Sequence, residues 1–194
     1  MIQIIDYGAG NLRSICNALE KLGAEYEVIG SPKELRADAK IIFAGVGAAG
    51  SAMASLRKSG FDKVLQKLQN PFLGICLGMQ LLFERSEENS VECLDVLKGD
   101  VRKFPLGLIV PQIGWNKAKM NNSPLFKEIP QDSCFYFVNS YYAKPSENDS
   151  IAETEYGITF CSAVRKANFY GVQFHPEKSG DIGRKLLDNF IKLC

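Results

Sequence analysis

The chain has 194 residues, of which 46% are hydrophobic and 23% charged, and its net charge is +1. This length suffices for one domain with a buried core, which we expect to span residues 1–194. The near-neutral charge gives no electrostatic reason to expect nucleic acid or an acidic membrane surface as a partner. Because no apolar run is long enough to span a membrane and no leader sequence opens the chain, the expected location is the cytoplasm.

The cysteines and the histidine limit the possible chemistry. The six cysteines are scattered without a Cys-x-x-Cys pair, so we expect free thiols. There is a single histidine, His175, so the chain offers few ligands for a metal site built from histidine and cysteine. We expect no metal and no cofactor, and any mechanism that needs an imidazole must use His175.

Apolar runs and helical spacings alternate along the first half of the chain. Strands are predicted at 2–7, 26–29, 41–44 and 72–75, with helices between them and a further helix at 77–85. The second half predicts strands at 101–104, 135–138, 158–164 and 170–174 and a final helix around 182–191. We therefore expect an α/β fold, a single domain with a mixed, mostly parallel central sheet and helices on both faces.

Cys76 occupies the centre of a Gly-x-Cys-x-Gly sequence, between the fourth predicted strand and the helix that follows. This pattern is typical of a nucleophile elbow, in which a sharp turn presents the side chain at the N-terminal end of a helix. The helix dipole favours the thiolate there, and the Leu77 N–H can point to a developing oxyanion. The alternative is that Cys76 is a small buried apolar residue, as free cysteines commonly are.

His175 and Glu177 follow the last predicted strand and are separated by Pro176. In an extended segment, residues two apart face the same side, so the carboxylate can lie beside the imidazole. A carboxylate in that place fixes the tautomer of the ring and stabilises its charged form, as a catalytic triad requires. A histidine without function at the surface is the alternative.

Two other glycine-rich segments follow predicted strands. The segment 8–10 resembles the start of a dinucleotide-binding fingerprint, but Arg13 replaces its third glycine, and no P-loop sequence occurs. The segment 45–47 is either a turn or a source of a second backbone N–H for an oxyanion.

Taken together, the segments 6–12, 45–47, 74–80, 86–88, 113–116 and 171–178 resemble those of the class I glutamine amidotransferases, and the resemblance covers essentially the whole chain. It implies a glutaminase that forms a cysteinyl thioester from L-glutamine and releases ammonia. The implied residues are Cys76, His175 and Glu177 for catalysis, Val46, Gly47 and Leu77 for the oxyanion hole, and Gly47, Gln80, Glu88, Ser140 and Tyr141 for glutamine.

The segments 113–116 and 171–178 are similar to those of one amidotransferase subfamily. Members of that subfamily supply ammonia to a (β/α)8-barrel cyclase subunit in histidine biosynthesis. The resemblance implies a heterodimer with that synthase subunit and no nucleic-acid or membrane partner. The implied interface residues are Asn11, Trp115, Tyr141 and Lys178.

Three positions depart from the family pattern. Ala44 replaces a proline, and Gln112 and Asn139 stand where histidines are common. These departures keep a second hypothesis open, in which the chain serves a related synthase in surface-sugar amidination. Two hypotheses assign the chain to other functional classes. One is a hydrolase that uses the same elbow on an unrelated substrate, and the other is a non-catalytic binding module.

Overall fold

The computed structural model describes residues 1–8 and 12–194, so the predicted interface residue Asn11 lies outside the described residues. The strands are β1 (Ile2–Ile5), β2 (Tyr26–Ile29), β3 (Lys40–Gly45), β4 (Phe72–Cys76), β5 (Arg85–Ser86), β6 (Val91–Glu92), β7 (Gly99–Lys103), β8 (Gln112–Lys117), β9 (Lys119–Met120), β10 (Cys134–Asn139), β11 (Tyr141–Pro145), β12 (Ser150–Glu155), β13 (Thr159–Lys166) and β14 (Phe169–Val172). The α-helices are α1 (Leu12–Lys21), α2 (Ala49–Ser59), α3 (Phe61–Leu65), α4 (Leu77–Gln80) and α5 (Gly180–Leu193), and 3-10 turns lie at Pro32–Glu34, Glu88–Ser90, Pro124–Phe126 and Pro176–Lys178.

Five parallel strands form the part of the sheet that carries the site. Their order is β2-β1-β3-β4-β14, and each neighbouring pair is parallel. All the residues of β1, β4 and β14 are buried. This explains their mostly apolar sequences, in which Gln3 of β1 is the polar exception, since a parallel strand between two layers of helices has no solvent-facing side.

Successive strand residues point into two separate cores. On β1, Ile4 packs with α1 and α5 on one side of the sheet, whereas Ile5 packs with α2 and α3 on the other. β3 repeats the alternation with Ile42 and Phe43. The two cores confirm the prediction of helices on both faces.

Beyond β14 the sheet becomes mainly antiparallel, through β13, β11 and β7 to the short strands β5 and β6, and β12 and β9 extend from β13. A separate antiparallel pair is formed by β8 and β10. The sheet is thus mixed, and its parallel strands carry the site. The predicted fold class is confirmed.

The helix predicted at 77–85 is wrong in length, because α4 ends at Gln80 and the chain enters β5 at Arg85. The carbonyl groups of Leu81, Leu82 and Phe83 accept hydrogen bonds from the loop at 94–97. Their carbonyls are therefore committed to a distant segment and do not continue the helix. Within the described residues, no helix combines the length and the apolar character needed to cross a membrane.

Candidate active site

Cys76 lies where β4 turns into α4. Its φ of 54° and ψ of −109° are values that residues with a side chain rarely adopt. The turn leaves no room for side chains beside it, because a Cβ on Gly74 would lie 2.6 Å from the carbonyl oxygen of Gly78, and a Cβ on Gly78 would collide with the carbonyl of Phe43. The two glycines therefore allow the strained turn that presents the sulfur, as the elbow sequence predicts.

Two polar groups from other strands contact the sulfur. The thiol of Cys76 donates to the carbonyl oxygen of Val138 over 3.8 Å. The side-chain Nε2 of Gln173 donates to the same sulfur over 3.6 Å. The sulfur thus has one hydrogen-bond acceptor and one donor among its neighbours.

His175 and Glu177 lie directly beyond β14. The Nδ1 of His175 lies 2.9 Å from Oε1 of Glu177, and the two side chains are only 6% and 5% exposed. The backbone is held as well, since the N–H of His175 donates to the carbonyl oxygen of Tyr136 over 2.8 Å. The hydroxyl of Ser179 donates to the carbonyl oxygen of His175 over 2.6 Å. The imidazole is therefore fixed both at its ring and at its backbone.

The charge of the imidazole depends on its neighbours. Burial disfavours the protonated ring, but contacts with Cys76 and Glu177 outweigh burial and raise the pKa of His175 to about 10. A Cys76 thiolate and the Glu177 carboxylate thus both favour the protonated ring, because each places a negative charge beside it. Sulfur, imidazole and carboxylate form one connected series of contacts, which is the arrangement that nucleophilic catalysis by cysteine requires.

A cavity of about 300 Å³ opens beside the sulfur, a volume at the lower end of the range for small-molecule sites. Most of the predicted site residues line it: Val46, Gly47, Cys76, Leu77, Gln80, Glu88, Ser140, Tyr141, His175 and Lys178. Glu177 contacts His175 instead of the cavity, and Trp115 lies outside the lining. The structure thus brings together residues from β3, β4, β10 and β11 and from the segment after β14.

The predicted oxyanion segment is held by a tyrosine. The N–H of Val46 donates to the hydroxyl oxygen of Tyr7 over 3.2 Å, and that hydroxyl donates to the carbonyl oxygen of Val46 over 3.2 Å. Tyr7 itself is buried and packs edge-on against Phe43. The Val46 N–H can serve an oxyanion only after it leaves Tyr7.

Gln80 belongs to a buried chain of amides. Its Nε2 donates to the carbonyl oxygen of Tyr141 over 3.0 Å and to Oε1 of Gln173 over 2.8 Å. Both bonds use the nitrogen of Gln80, so its oxygen is the atom that can accept from a bound molecule.

Glu88 closes the other side of the cavity. One carboxylate oxygen accepts from the N–H of Ala49 over 2.7 Å, and Oδ1 of Asn89 accepts from the N–H of Gly50 over 3.3 Å. Both side chains therefore cap the N-terminal end of α2, which fixes the carboxylate of Glu88 at the cavity wall.

The three family departures lie close to the site. Ala44 is buried in β3 beside Ile75. Gln112 and Asn139 face each other across β8 and β10, both buried, and the Gln112 amide makes no hydrogen bond with the described residues. The Nδ2 of Asn139 donates to the carbonyl oxygen of Tyr141 over 3.0 Å. Among the described residues, none of the three forms a hydrogen bond with the imidazole of His175 or the carboxylate of Glu177.

Apolar side chains cover the outer face of the β8–β10 pair. Ile113 and Trp115 are 64% and 58% exposed, and their cross-strand partners Val138 and Tyr136 lie on the same face. The Nζ of Lys178 lies 6.0 Å from the ring centre of Tyr136. We call these five residues the outer apolar face; Val138 and Lys178 also line the cavity, so this face adjoins its mouth.

Three residues at the site were not predicted from the sequence: Tyr7, Gln173 and Ile113. Gln173 precedes His175 by two positions, and the period of an extended chain is the signal that could have placed it beside the site. The alternation of Ile113 and Trp115 is a similar signal for a shared face. The contact between Tyr7 and Val46 has no local signal, because it joins positions 39 residues apart.

The model of the class-I glutamine amidotransferase family matches residues 3–193 of the chain. The chain therefore belongs to the class-I glutamine amidotransferase family. The solved structure described as glutamine amidotransferase superposes with a TM-score of 0.75 at 18% identity, over 98% of this chain and 99% of that one. PurLQS from Thermotoga maritima gives a TM-score of 0.74 at 17% identity, over 98% and 96%. Both superpositions show the shared fold.

Relatives with higher identity bear one name. The imidazole glycerol phosphate synthase subunit HisH of Dehalococcoides mccartyi is 47% identical, over 100% of this chain and 98% of its own length. The HisH subunits of Acinetobacter baylyi and Bacteroides fragilis are 46% and 44% identical, each over at least 97% of both chains.

The contact between His175 and Glu177 predicts how the imidazole titrates. Replacing the carboxylate by an amide in Glu177→Gln removes a charge that raises the pKa of His175, so this pKa should fall. Because the chain has one histidine, its imidazole resonance in an NMR titration is unambiguous. Glu128→Gln, which alters an exposed glutamate paired with Lys185, is the control. An unchanged titration in Glu177→Gln would contradict the assigned contact.

Proposed function

We propose that the chain is the glutaminase subunit of an imidazole glycerol phosphate synthase, with Cys76, His175 and Glu177 as its catalytic residues. Support comes from one observation above all: the elbow sulfur and the only imidazole share a cavity of the size of an amino acid. The HisH relatives, aligned over the full chain, support the pathway of histidine biosynthesis.

In the first half of the reaction, the Cys76 thiolate attacks the side-chain carbonyl carbon of glutamine. The carbonyl oxygen becomes an oxyanion, which the N–H of Leu77 and an N–H of the Val46–Gly47 segment stabilise, each donor contributing about 3–4 kcal/mol. Protonated His175 gives its proton to the leaving nitrogen, the C–N bond breaks, and ammonia departs. A glutamyl thioester on Cys76 remains.

In the second half, neutral His175 takes a proton from water, and the hydroxide formed attacks the thioester carbon. The C–S bond breaks, glutamate leaves, and the thiolate and the protonated imidazole are restored. The buried Glu177 carboxylate stabilises the charged ring and holds its orientation through both halves.

Glutamine is held at its amino-acid end by Gln80, Glu88 and backbone groups of Gly47, Ser140 and Tyr141. The fixed carboxylate of Glu88 attracts the α-ammonium group. The free oxygen of Gln80 can accept from the same group. Gly47 and Ser140 line the same cavity, and we assign their backbone groups to the α-carboxylate.

The name of the relatives implies a partner subunit. We propose that this partner is a (β/α)8-barrel cyclase that forms a heterodimer and binds the outer apolar face, Ile113, Trp115, Tyr136, Val138 and Lys178, with Tyr141 at its border. The family resemblance adds Asn11, which lies outside the described residues, to the residues expected to contact this partner. An exposed aromatic side chain beside a cationic one has the composition of an interface hot spot. Docking there covers the mouth of the cavity, so that ammonia passes directly to the partner.

Replacing the nucleophile tests the enzyme assignment. In the complex with the cyclase subunit, Cys76→Ala should lower ammonia release from glutamine by about 10³-fold or more, while the circular dichroism and thermal unfolding of the chain remain close to those of the wild type. Cys134→Ala removes an exposed thiol and is the matched control. Equal ammonia release by Cys76→Ala and the wild type would exclude Cys76 as the nucleophile.

Truncating the exposed tryptophan tests the docking face. Trp115→Ala should weaken binding of the cyclase subunit, measured by calorimetry, by about 30-fold, the value of a hot-spot residue. Val28→Ala, the control, removes an exposed apolar side chain on β2, an edge strand of the main sheet and not part of the β8–β10 pair. If the two variants bind the subunit equally well, the outer apolar face is not the interface.

The hydrogen bond from the Val46 N–H to the hydroxyl of Tyr7 engages one of the proposed oxyanion donors. We therefore expect the subunit alone to hydrolyse glutamine slowly. Tyr7→Phe removes that bond and should raise glutamine hydrolysis by the isolated chain, by up to about 10²-fold. Tyr26→Phe removes a hydroxyl that donates to Glu20 and serves as the control. A lower rate in Tyr7→Phe would mean that Tyr7 supports the oxyanion segment instead of withholding it.

A further inference from the structure

Gln173 contacts the reacting sulfur, yet no step of the mechanism above uses it. The parallel register of β14 and β4 places Val172 beside Ile75, so that the next residue, Gln173, comes beside Cys76. The side chain of Gln173 is fully buried, and its Nε2 lies 3.6 Å from the sulfur. A polar side chain in such a place has either a structural or a catalytic reason.

The orientation of the Gln173 amide follows from its other contact. Nε2 of Gln80 donates to Oε1 of Gln173, and a donor can be matched only by the oxygen end of the amide. The nitrogen end must then face Cys76. The backbone of Gln173 is fixed too, because its N–H donates to the carbonyl oxygen of Ser162 over 2.9 Å.

The sulfur needs different neighbours in its two protonation states. The thiol of Cys76 can donate to the carbonyl oxygen of Val138, but a thiolate cannot donate, and that carbonyl then repels it. The thiolate needs hydrogen-bond donors. The amide of Gln173 supplies a neutral donor that is present whether His175 holds its proton or has given it away.

We propose that Gln173 is a catalytic residue whose Nε2–H donates to the Cys76 thiolate. This inference rests on the proposed function for its place in the reaction. The bond stabilises the thiolate before attack, and it stabilises the same thiolate as the leaving group when the thioester is hydrolysed. After His175 has given its proton to the leaving nitrogen, the ring is neutral, and Gln173 then remains as a donor to the thioester sulfur.

Two substitutions separate the contact with sulfur from the contact with Gln80. Gln173→Glu keeps an oxygen that accepts from Gln80 but loses the donor to sulfur and adds a carboxyl group beside it, whereas the neutral Gln173→Met loses both contacts and shows the loss of the donor without an added charge. Ser162→Ala, at the neighbouring buried position of β13, is the matched control. The first measurement is the rate at which iodoacetamide alkylates Cys76 as a function of pH, since this reaction reports the thiolate and needs no glutamine; Cys134→Ala serves as the background to remove the exposed thiol.

We expect the midpoint of the alkylation profile to move to higher pH by about one unit or more in both Gln173 variants, which is a tenfold lower thiolate-to-thiol ratio. In the complex with the cyclase subunit, kcat for glutamine hydrolysis should fall by about tenfold to a hundredfold. KM should rise in Gln173→Met, which frees Gln80, and change little in Gln173→Glu. The profile and the kinetics of Ser162→Ala should match the wild type.

An alkylation midpoint in Gln173→Glu that matches the wild type would overturn the proposal, whatever happens to kcat. A folded Gln173→Glu with unchanged kcat would overturn it as well. Circular dichroism and thermal unfolding identify a variant that has lost its fold, and the milder Gln173→Asn, which shortens the donor by one carbon, then gives the same test. If the wild-type complex released no ammonia from glutamine, the proposed function would fail, while the alkylation profile would still decide whether Gln173 stabilises the thiolate.

Discussion

The active site depends on the parallel pairing of β4 with β14. Gly171 lies beside Gly74 and Val172 beside Ile75, so both strands end at the same edge with their next residues side by side. Cys76 follows one strand, and Gln173 and His175 follow the other. A shift of the pairing by one residue would turn the imidazole to the opposite face of the sheet. The sulfur and the imidazole therefore meet because the buried strands permit only one register.

The strained turn and the fixed imidazole serve the same purpose. Cys76 adopts a left-handed φ, which costs energy, and the tight contacts of Gly74 and Gly78 hold it there. His175 is held by Tyr136 and Ser179 through its backbone and by Glu177 through its ring. Both reacting groups are thus fixed before substrate arrives, which reduces the entropy that must be lost on the way to the transition state.

Local patterns predicted the elbow at Cys76 and the contact of His175 with Glu177 because each is encoded within a few residues. The sequence around Cys76 contains its own glycines, and Glu177 lies two positions from His175. The parallel strands were predictable too, since their apolar runs follow directly from burial on both sides. The length of α4 was not, because the carbonyls after Gln80 bond to residues 94–97, whose location depends on the whole fold. For the same reason, no local pattern indicated the bonds of Val46 to Tyr7 and of Gln80 to Gln173, which join residues 39 and 93 positions apart.

The position of β10 connects the outer apolar face to the chemistry. On its outer side, Val138 is paired with the exposed Ile113, and through its carbonyl the same residue accepts from the sulfur of Cys76. Further along the chain, Ser140 and Tyr141 line the cavity, and the carbonyl oxygen of Tyr141 accepts a hydrogen bond from Gln80. A partner bound at Ile113 and Trp115, as proposed, would contact a strand whose backbone touches both the sulfur of Cys76 and the residues proposed to hold glutamine. Phe135 and Phe137 are buried on the inner side of the same strand, so a displacement of β10 would act on the sulfur through one backbone contact and would need no long series of side chains.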